Sequence, residues 1–206
     1  MSAPKRVARA TIARLPRYLS YLEGLDEHVR TVSSQQLADG AAVKDAIVRR
    51  DMSDLGITGT RGVGYEVADL TDHLHRKLGG GVARNVVIVG AGHLGLALAN
   101  YAGFGSAGFN LVGIYDANPD LFGNQAGEAR IADVANLEKD LADTPASLGI
   151  VTVPAGAAQD ILDRLVSLGV KSILSFAPTT LSHADDVDVR HVDLATELQV
   201  LAYFAK

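Results

Sequence analysis

No cysteine occurs among the 206 residues. That excludes a disulfide framework, a thiol nucleophile and a thiolate-bound metal. No apolar run approaches the roughly 20 residues that would span a bilayer. The N-terminus is basic, but no apolar block follows it, so no signal-peptide pattern is read and a cytoplasmic protein is expected. The six histidines show no metal-ligand spacing. His73 and His75 are two apart, which splays them on a helix, and no metal is expected.

A large charge of one sign is also missing. The net charge is −5, unevenly spread. Residues 1–79 hold 12 Lys/Arg against 10 Asp/Glu, or +2, and residues 80–206 hold 7 against 14, or −7. The asymmetry permits an N-terminal part that meets a polyanion, without requiring one. What is abundant is apolar content (48%) and glycine (21 residues), as suits a soluble α/β protein of one or two small domains.

The most informative stretch is Asn85-Val-Val-Ile-Val-Gly-Ala-Gly-His-Leu-Gly95. Its β-branched run predicts a parallel strand buried on both faces. Gly90, Gly92 and Gly95 follow at once as G-x-G-x-x-G, and Leu96 to Ala99 read as helix. The first glycine permits the turn, the second lets backbone approach a pyrophosphate, and the third lets the helix pack on the strand. The candidate dinucleotide loop is thus Gly90, Ala91, Gly92, His93, Leu94 and Gly95. A second strand, Leu111 to Tyr115, ends in Asp116, 21 residues after Gly95. A carboxylate there suits the ribose hydroxyls of NAD. No Arg or Lys lies near it in sequence to receive a 2′-phosphate, so NAD(H) is favoured over NADP(H). Further strands are expected at 129–132, 148–153, 170–176 and 187–192, with a helix over 157–166. Thr152-Val153-Pro154 and Phe176-Ala177-Pro178 stand at strand ends. They read either as the nicotinamide lining or as ordinary strand-ending prolines. Tyr101 to Gly105 is a turn near the cofactor mouth. A terminal helix, Ala195 to Phe204, is apolar on most faces and is expected to pack on another subunit.

The first eighty residues read differently. Ile12, Leu15, Leu19, Leu22 and Leu25 form one stripe of a helix over 5–25, which Pro16 bends or restarts. Ser33 or Ser34 caps a short second helix, Gln36 completing a capping box with Ser33. After a turn at Asp39-Gly40 a third helix runs from about Ala42 to Leu55. Two short helices across a glycine turn form the helix-turn-helix pattern. On the third helix Ile47, Val48, Met52 and Leu55 share one side, and Ala46, Arg49, Arg50 and Ser53 the other. Taken alone, that basic face suits either a DNA groove or solvent. Gly56 to Tyr65 reads as a β-hairpin, a wing with Arg61 and Gly62 near its tip. An arginine there can enter a narrow minor groove. A helix over 66–78 follows, with Val67, Leu70, Leu74 and Leu78 on one stripe, and Gly79-Gly-Gly81 marks a domain boundary.

Together these parts resemble the Rex family of bacterial redox-sensing transcriptional repressors, over nearly the whole chain. The resemblance rests on Ala10-Thr-Ile-Ala-Arg-Leu-Pro-Arg-Tyr-Leu19, Ser33-Ser-Gln-Gln-Leu37, Val48-Arg-Arg-Asp51, Gly59-Thr-Arg-Gly-Val-Gly-Tyr65, Val89-Gly-Ala-Gly-His-Leu-Gly95, Tyr101-Ala-Gly-Phe-Gly105, Val151-Thr-Val-Pro154 and Phe176-Ala-Pro178, in that order. It implies an α/β chain: a winged-helix domain over 1–80, a Rossmann domain with a doubly wound parallel sheet over 81–194, and a helix over 195–206 exchanged within a homodimer. It implies NADH and NAD⁺ as ligands, with NADH weakening the grip on operator DNA. It places Lys44 and Arg50 in the major groove, Arg49 at nearby phosphates or bases, Ser33 and Ser34 beside them, and Arg61 and Gly62 in the minor groove. It places Tyr101 and Asp193 in an inter-subunit switch. Two residues depart from it. Ser20 stands where an arginine pairing with that aspartate is implied, and Leu194 where a larger side chain such as Phe is implied over the nicotinamide. The terminal helix also ends early at Lys206, as in a trimmed chain.

A neutral nicotinamide enters an apolar lining more cheaply than a positive one, which gives a source of discrimination. Two other readings remain open at this point. An NAD-dependent dehydrogenase needs a general acid–base, yet His93 lies inside the phosphate loop and no His, Lys or Tyr stands at a convincing catalytic position. A nucleotide-binding interaction module without DNA affinity is the other.

Overall fold

The computed structural model describes residues 7–80 and 82–205. They fall into two compact units that divide between Val82 and Ala83. Residues 1–6, 81 and 206 of the expectations above lie outside the described residues.

In the first unit, α1 spans Arg9–Glu23 and buries Thr11, Leu15, Tyr18 and Leu22. The buried face is rotated from the expected leucine stripe, and Ile12 is left at the exposed edge. Two polar-tipped side chains take its place, because a buried acid on another helix accepts from both. Pro16 neither breaks nor restarts the helix. The hydrogen bond it deletes is that of the Ile12 carbonyl, on the exposed side where water can substitute.

Strand β1 (Thr31–Val32) leads into α2 (Ser34–Gly40), and α3 spans Asp45–Leu55. Helix α3 begins three residues later than expected. Ala42 adopts a left-handed φ of 54°, and the Val43 N–H reaches back to the Ala38 carbonyl at 2.9 Å. Residues 42–44 are therefore turn. Strand β2 (Tyr65–Glu66) and α4 (Val67–Lys77) complete the unit.

The expected hairpin needs correction. Strand β2 pairs antiparallel with β1, Thr31 opposite Glu66 and Val32 opposite Tyr65. The segment before the tip is reduced to one bridge, Thr60 to Gly64. Gly56 is already committed as the left-handed cap of α3, at φ 75°, which shortens that arm. The edge of β1 is the partner that remains.

The second unit contains β3 (Arg84–Val89), α5 (His93–Ala99), α6 (Gly103–Ser106), β4 (Phe109–Asp116), β5 (Gln125–Ala126), β6 (Ala129–Asp133), α7 (Leu137–Asp143), β7 (Leu148–Val151), α8 (Ala155–Ser167), β8 (Ser172–Ser175), β9 (Asp188–His191) and α9 (Leu194–Phe204). The sheet has seven strands in the order β5-β6-β4-β3-β7-β8-β9. Every neighbouring pair is parallel except β5 with β6. Central β3 alternates its side chains. Val86 and Ile88 enter the cluster with Leu96, Leu98 and Phe104, and Val87 and Val89 enter the cluster with Leu137, Ile161 and Leu165. Burying each such side chain is worth about 1.5–3 kcal/mol.

Some of these elements were not read from the sequence: α7, β5 and the single turn of α6, where only a turn was expected. The strands expected at 148–153, 170–176 and 187–192 are each shorter than expected. Helix α9 buries none of its side chains within the chain. Among the described residues, no helix is long and apolar enough to cross a membrane.

Candidate functional site

The chain's order reverses between β3 and β7, and in such sheets ligands bind at the carboxyl ends of the strands beside that point. The loop there is built from backbone fits. Gly90 has φ 106°, and a Cβ on it would lie 2.7 Å from the Thr152 carbonyl. A Cβ on Gly95 would lie 1.9 Å from the Gly90 carbonyl oxygen. Around Gly92, by contrast, nothing lies within 4 Å of an added Cβ. That open glycine is the N-cap of α5, whose first N–H groups have no acceptor within the helix. Gly92, His93 and Leu94 are exposed, while Ala91 and Gly95 are buried.

Thr152 locks the loop. Its hydroxyl donates to the Gly90 carbonyl at 2.8 Å, and its N–H donates to the Val89 carbonyl at 2.9 Å. On the other side Asp116 accepts from the Ala91 N–H at 2.6 Å and from the Asn118 N–H at 2.8 Å. In register beside it on β6 stands Asp133, a second carboxylate. A 2′-phosphate would meet negative charge there, and a ribose diol would meet acceptors.

The remaining predicted residues are distributed as follows. Val153 is half-buried and Pro154 exposed at the start of α8. Phe176 is half-buried, its N–H bonded to the Val151 carbonyl at 2.8 Å; Pro178 is exposed. Ala91 and Ala177 are fully buried, so what they offer a ligand is backbone. Tyr101 is 60% exposed, its ring edge-on to Phe104 at 5.4 Å. Asp193 caps α9, accepting from the Ala195 N–H at 2.9 Å and the Thr196 hydroxyl at 2.8 Å. Those bonds hold its carboxyl below the usual range.

The first unit presents a basic face. Ala46, Arg49, Arg50 and Ser53 all lie on the exposed side of α3, and Lys44 is exposed at its N-cap. Ser33 and Gln36 form a reciprocal capping box at α2, which commits the Ser33 hydroxyl. The Ser34 hydroxyl accepts from Arg49 Nε at 3.2 Å. Arg61, Gly62 and Val63 make the exposed tip of a tight turn closed by Thr60 and Gly64.

What holds α3 in place was not read from the sequence. Asp51 is fully buried. Arg14 grips both its oxygens at 2.6 Å, Tyr18 donates at 2.7 Å, and Thr11 at 2.9 Å. Burial opposes the charge on Asp51, but the hydrogen bonds from Arg14, Tyr18 and Thr11 outweigh it and keep the carboxyl below its usual range. The Tyr18 hydroxyl is pushed up, first by burial and then by its bond to Asp51. The only sequence signal is an acid between Arg50 and Met52 on the apolar side of α3.

Comparison with known proteins adds the decisive observation. Residues 82–179 match the model of the CoA binding domain, and residues 6–53 match the one described as "Putative DNA-binding protein N-terminus". The chain is 50% identical to the redox-sensing transcriptional repressor Rex of Streptomyces coelicolor, over 96% of this chain and 77% of that one. The chain belongs to the Rex family. The Rex of Carboxydothermus hydrogenoformans is 44% identical over 96% of both chains. Among solved structures, the Rex-family repressor RSP in complex with β-NAD⁺ and operator DNA is 39% identical, with TM-score 0.90, over 98% of this chain and 93% of that one. RSP in complex with β-NADH gives TM-score 0.86 at 38% identity, over 97% and 94%. Rex chains are named as repressors, and this one pairs the Rex-type arrangement of a dinucleotide loop with a helix-turn-helix and wing.

Proposed function

We propose that the chain is a homodimeric, cytoplasmic repressor that holds operator DNA and lets go when NADH replaces NAD⁺. Its domains are a winged-helix unit over 1–80, a Rossmann unit over 81–194 and a terminal helix over 195–206 exchanged between subunits. The observation that carries the reading is the open space at Gly92 inside a loop that Thr152 and Asp116 hold rigid, in one chain with an exposed arginine face. Gly90 to Gly95 would hold the pyrophosphate, Asp116 the ribose, and Thr152, Val153, Pro154, Phe176, Ala177 and Pro178 the nicotinamide side. Lys44, Arg49, Arg50, Ser33 and Ser34 would meet the major groove, and Arg61 with Gly62 the minor groove.

The chain needs no reaction to work as a sensor. Its work is differential affinity: NADH must favour a dimer arrangement whose recognition helices no longer match two half-sites. An apolar lining favours the neutral ring over the positive one. Tyr101 and Asp193 would carry this to the partner subunit. Ser20 is exposed on α1 and lacks the charge to pair with that aspartate, so the switch here would run without that ion pair. Leu194 is 59% exposed and would cover the ring with a smaller surface. Titrating the bound operator complex with each nucleotide tests the reading. NADH should release the duplex at concentrations where NAD⁺ does not, and equal release by both would overturn it.

A further inference from the structure

Resting on that DNA-binding reading, we infer that Asp45 is a positioning residue that sets Arg49 for sequence-specific contact and holds it back from indiscriminate phosphate binding. Arg49 is gripped along one edge. Its Nε donates to the Ser34 hydroxyl at 3.2 Å, and its Nη2 pairs with the Asp45 carboxylate at 2.6 Å. The two partners come from different helices, α2 and α3, so the guanidinium is tied to both at once. Its other edge, Nη1 with the second Nη2 hydrogen, is engaged by neither partner. That edge carries the two parallel N–H groups that fork onto guanine O6 and N7. Arg49 remains 67% exposed while so held, and the Asp45 side chain only 24%. Arg50 is different: it is 85% exposed and its carboxylate neighbour, Asp54, is at 3.9 Å.

The consequence is a bias between duplexes. On the right sequence Arg49 can donate to a base without leaving Asp45, and it arrives with its rotamer already chosen. On any other sequence the gain is a phosphate contact. There Asp45 works against it: the carboxylate offsets the guanidinium charge that attracts a phosphate and ties the side chain to α3, so the contact reaches full strength only where Arg49 moves away from Asp45. The second Asp45 oxygen is buried and has no hydrogen-bond partner among the described residues. The carboxylate therefore points its free lone pairs inward, and it acts through Arg49 instead of reading bases itself.

The test uses the full-length dimer and two duplexes of equal length and composition: one selected by the wild-type protein from a random pool, and its scrambled counterpart. Asp45→Asn should tighten binding to the scrambled duplex and weaken or spare binding to the selected one. The ratio of the two affinities should fall by about two- to fivefold, the size a part-exposed ion pair supports. The salt dependence on the scrambled duplex should steepen by about one phosphate contact. Loss of fold weakens both affinities and cannot tighten binding to the scrambled duplex. On an Arg49→Gln background the same Asp45→Asn change should leave the ratio where it was. An unchanged ratio in the single variant, or an equal change without Arg49, overturns the inference while the DNA-binding reading stands. A wild-type protein that selects no sequence overturns both.

Discussion

At Gly95 an added Cβ would collide with the Gly90 carbonyl oxygen at 1.9 Å, while at Gly92 it would meet nothing within 4 Å. Gly95→Ala should therefore lower the thermal midpoint, at a cost of about 2 kcal/mol, and weaken NADH binding with it. Gly92→Ala should leave the midpoint within a degree or so and still weaken NADH binding, because the methyl occupies the approach of the pyrophosphate. Calorimetry beside a nucleotide titration separates them, and a normal NADH affinity in Gly92→Ala would remove the loop from the site. Asp51 acts in the other unit. Asp51→Asn leaves Arg14 without its carboxylate and should cost about 3 kcal/mol, read from amide exchange in α1 and α3. The pH dependence follows from direction. A carboxyl held low stabilises above about pH 4, its unfolded value, and that contribution disappears as pH falls through the lower folded value. Tyr18, held high, stabilises fully below about pH 10, and that contribution is lost as pH climbs through the folded value. Asp51→Asn should flatten the acid limb; an acid limb as steep as wild type would place the dependence elsewhere.

Among elements, the turn between α2 and α3 carries backbone strain. Ala42 sits at φ 54°, where a Cβ is unfavourable by about 1 kcal/mol. Ala42→Gly should raise stability by about 0.5 kcal/mol, since glycine also has more freedom to lose; a lower denaturant midpoint would count against a strained turn. The glycine loop, the strand–helix alternation and the faces of α3 could be read in advance because each depends on local spacing. The face of α1 could not. The leucine spacing leaves Thr11 and Tyr18 out of the stripe, and what buries them is Asp51, 40 and 33 residues away in sequence, which supplies their acceptor. The pairing of β1 with β2 escaped for a related reason. Two residues carry no periodicity, and only the close approach of Gly64 to the Val32 carbonyl, 2.3 Å from an added Cβ, reveals how tightly that ladder is seated. Helix α7 offers only Leu137 and Leu141 among charged and small neighbours, too little pattern to stand out.

For the molecule as a whole, α9 is the unfinished surface. Leu198 is 66% exposed, Leu201 63%, Tyr203 84% and Phe204 71%. Leu198→Glu with Leu201→Glu should give a monomer by sedimentation that keeps its secondary structure, since neither side chain is buried in its own chain, and operator affinity should fall by at least about tenfold as two half-sites lose their joint hold. A dimer that survived the pair of charges would place the subunit contact elsewhere. The ladder between β1 and β2 has a kinetic corollary. It ties the tip bearing Arg61 to the residues that open α2, so the arm and the helix pair move as one body. Each half of the protein should thus leave the duplex in a single step, with no state in which the arm has lifted and the helix remains, and dissociation traces should show one rate per half-site, not two.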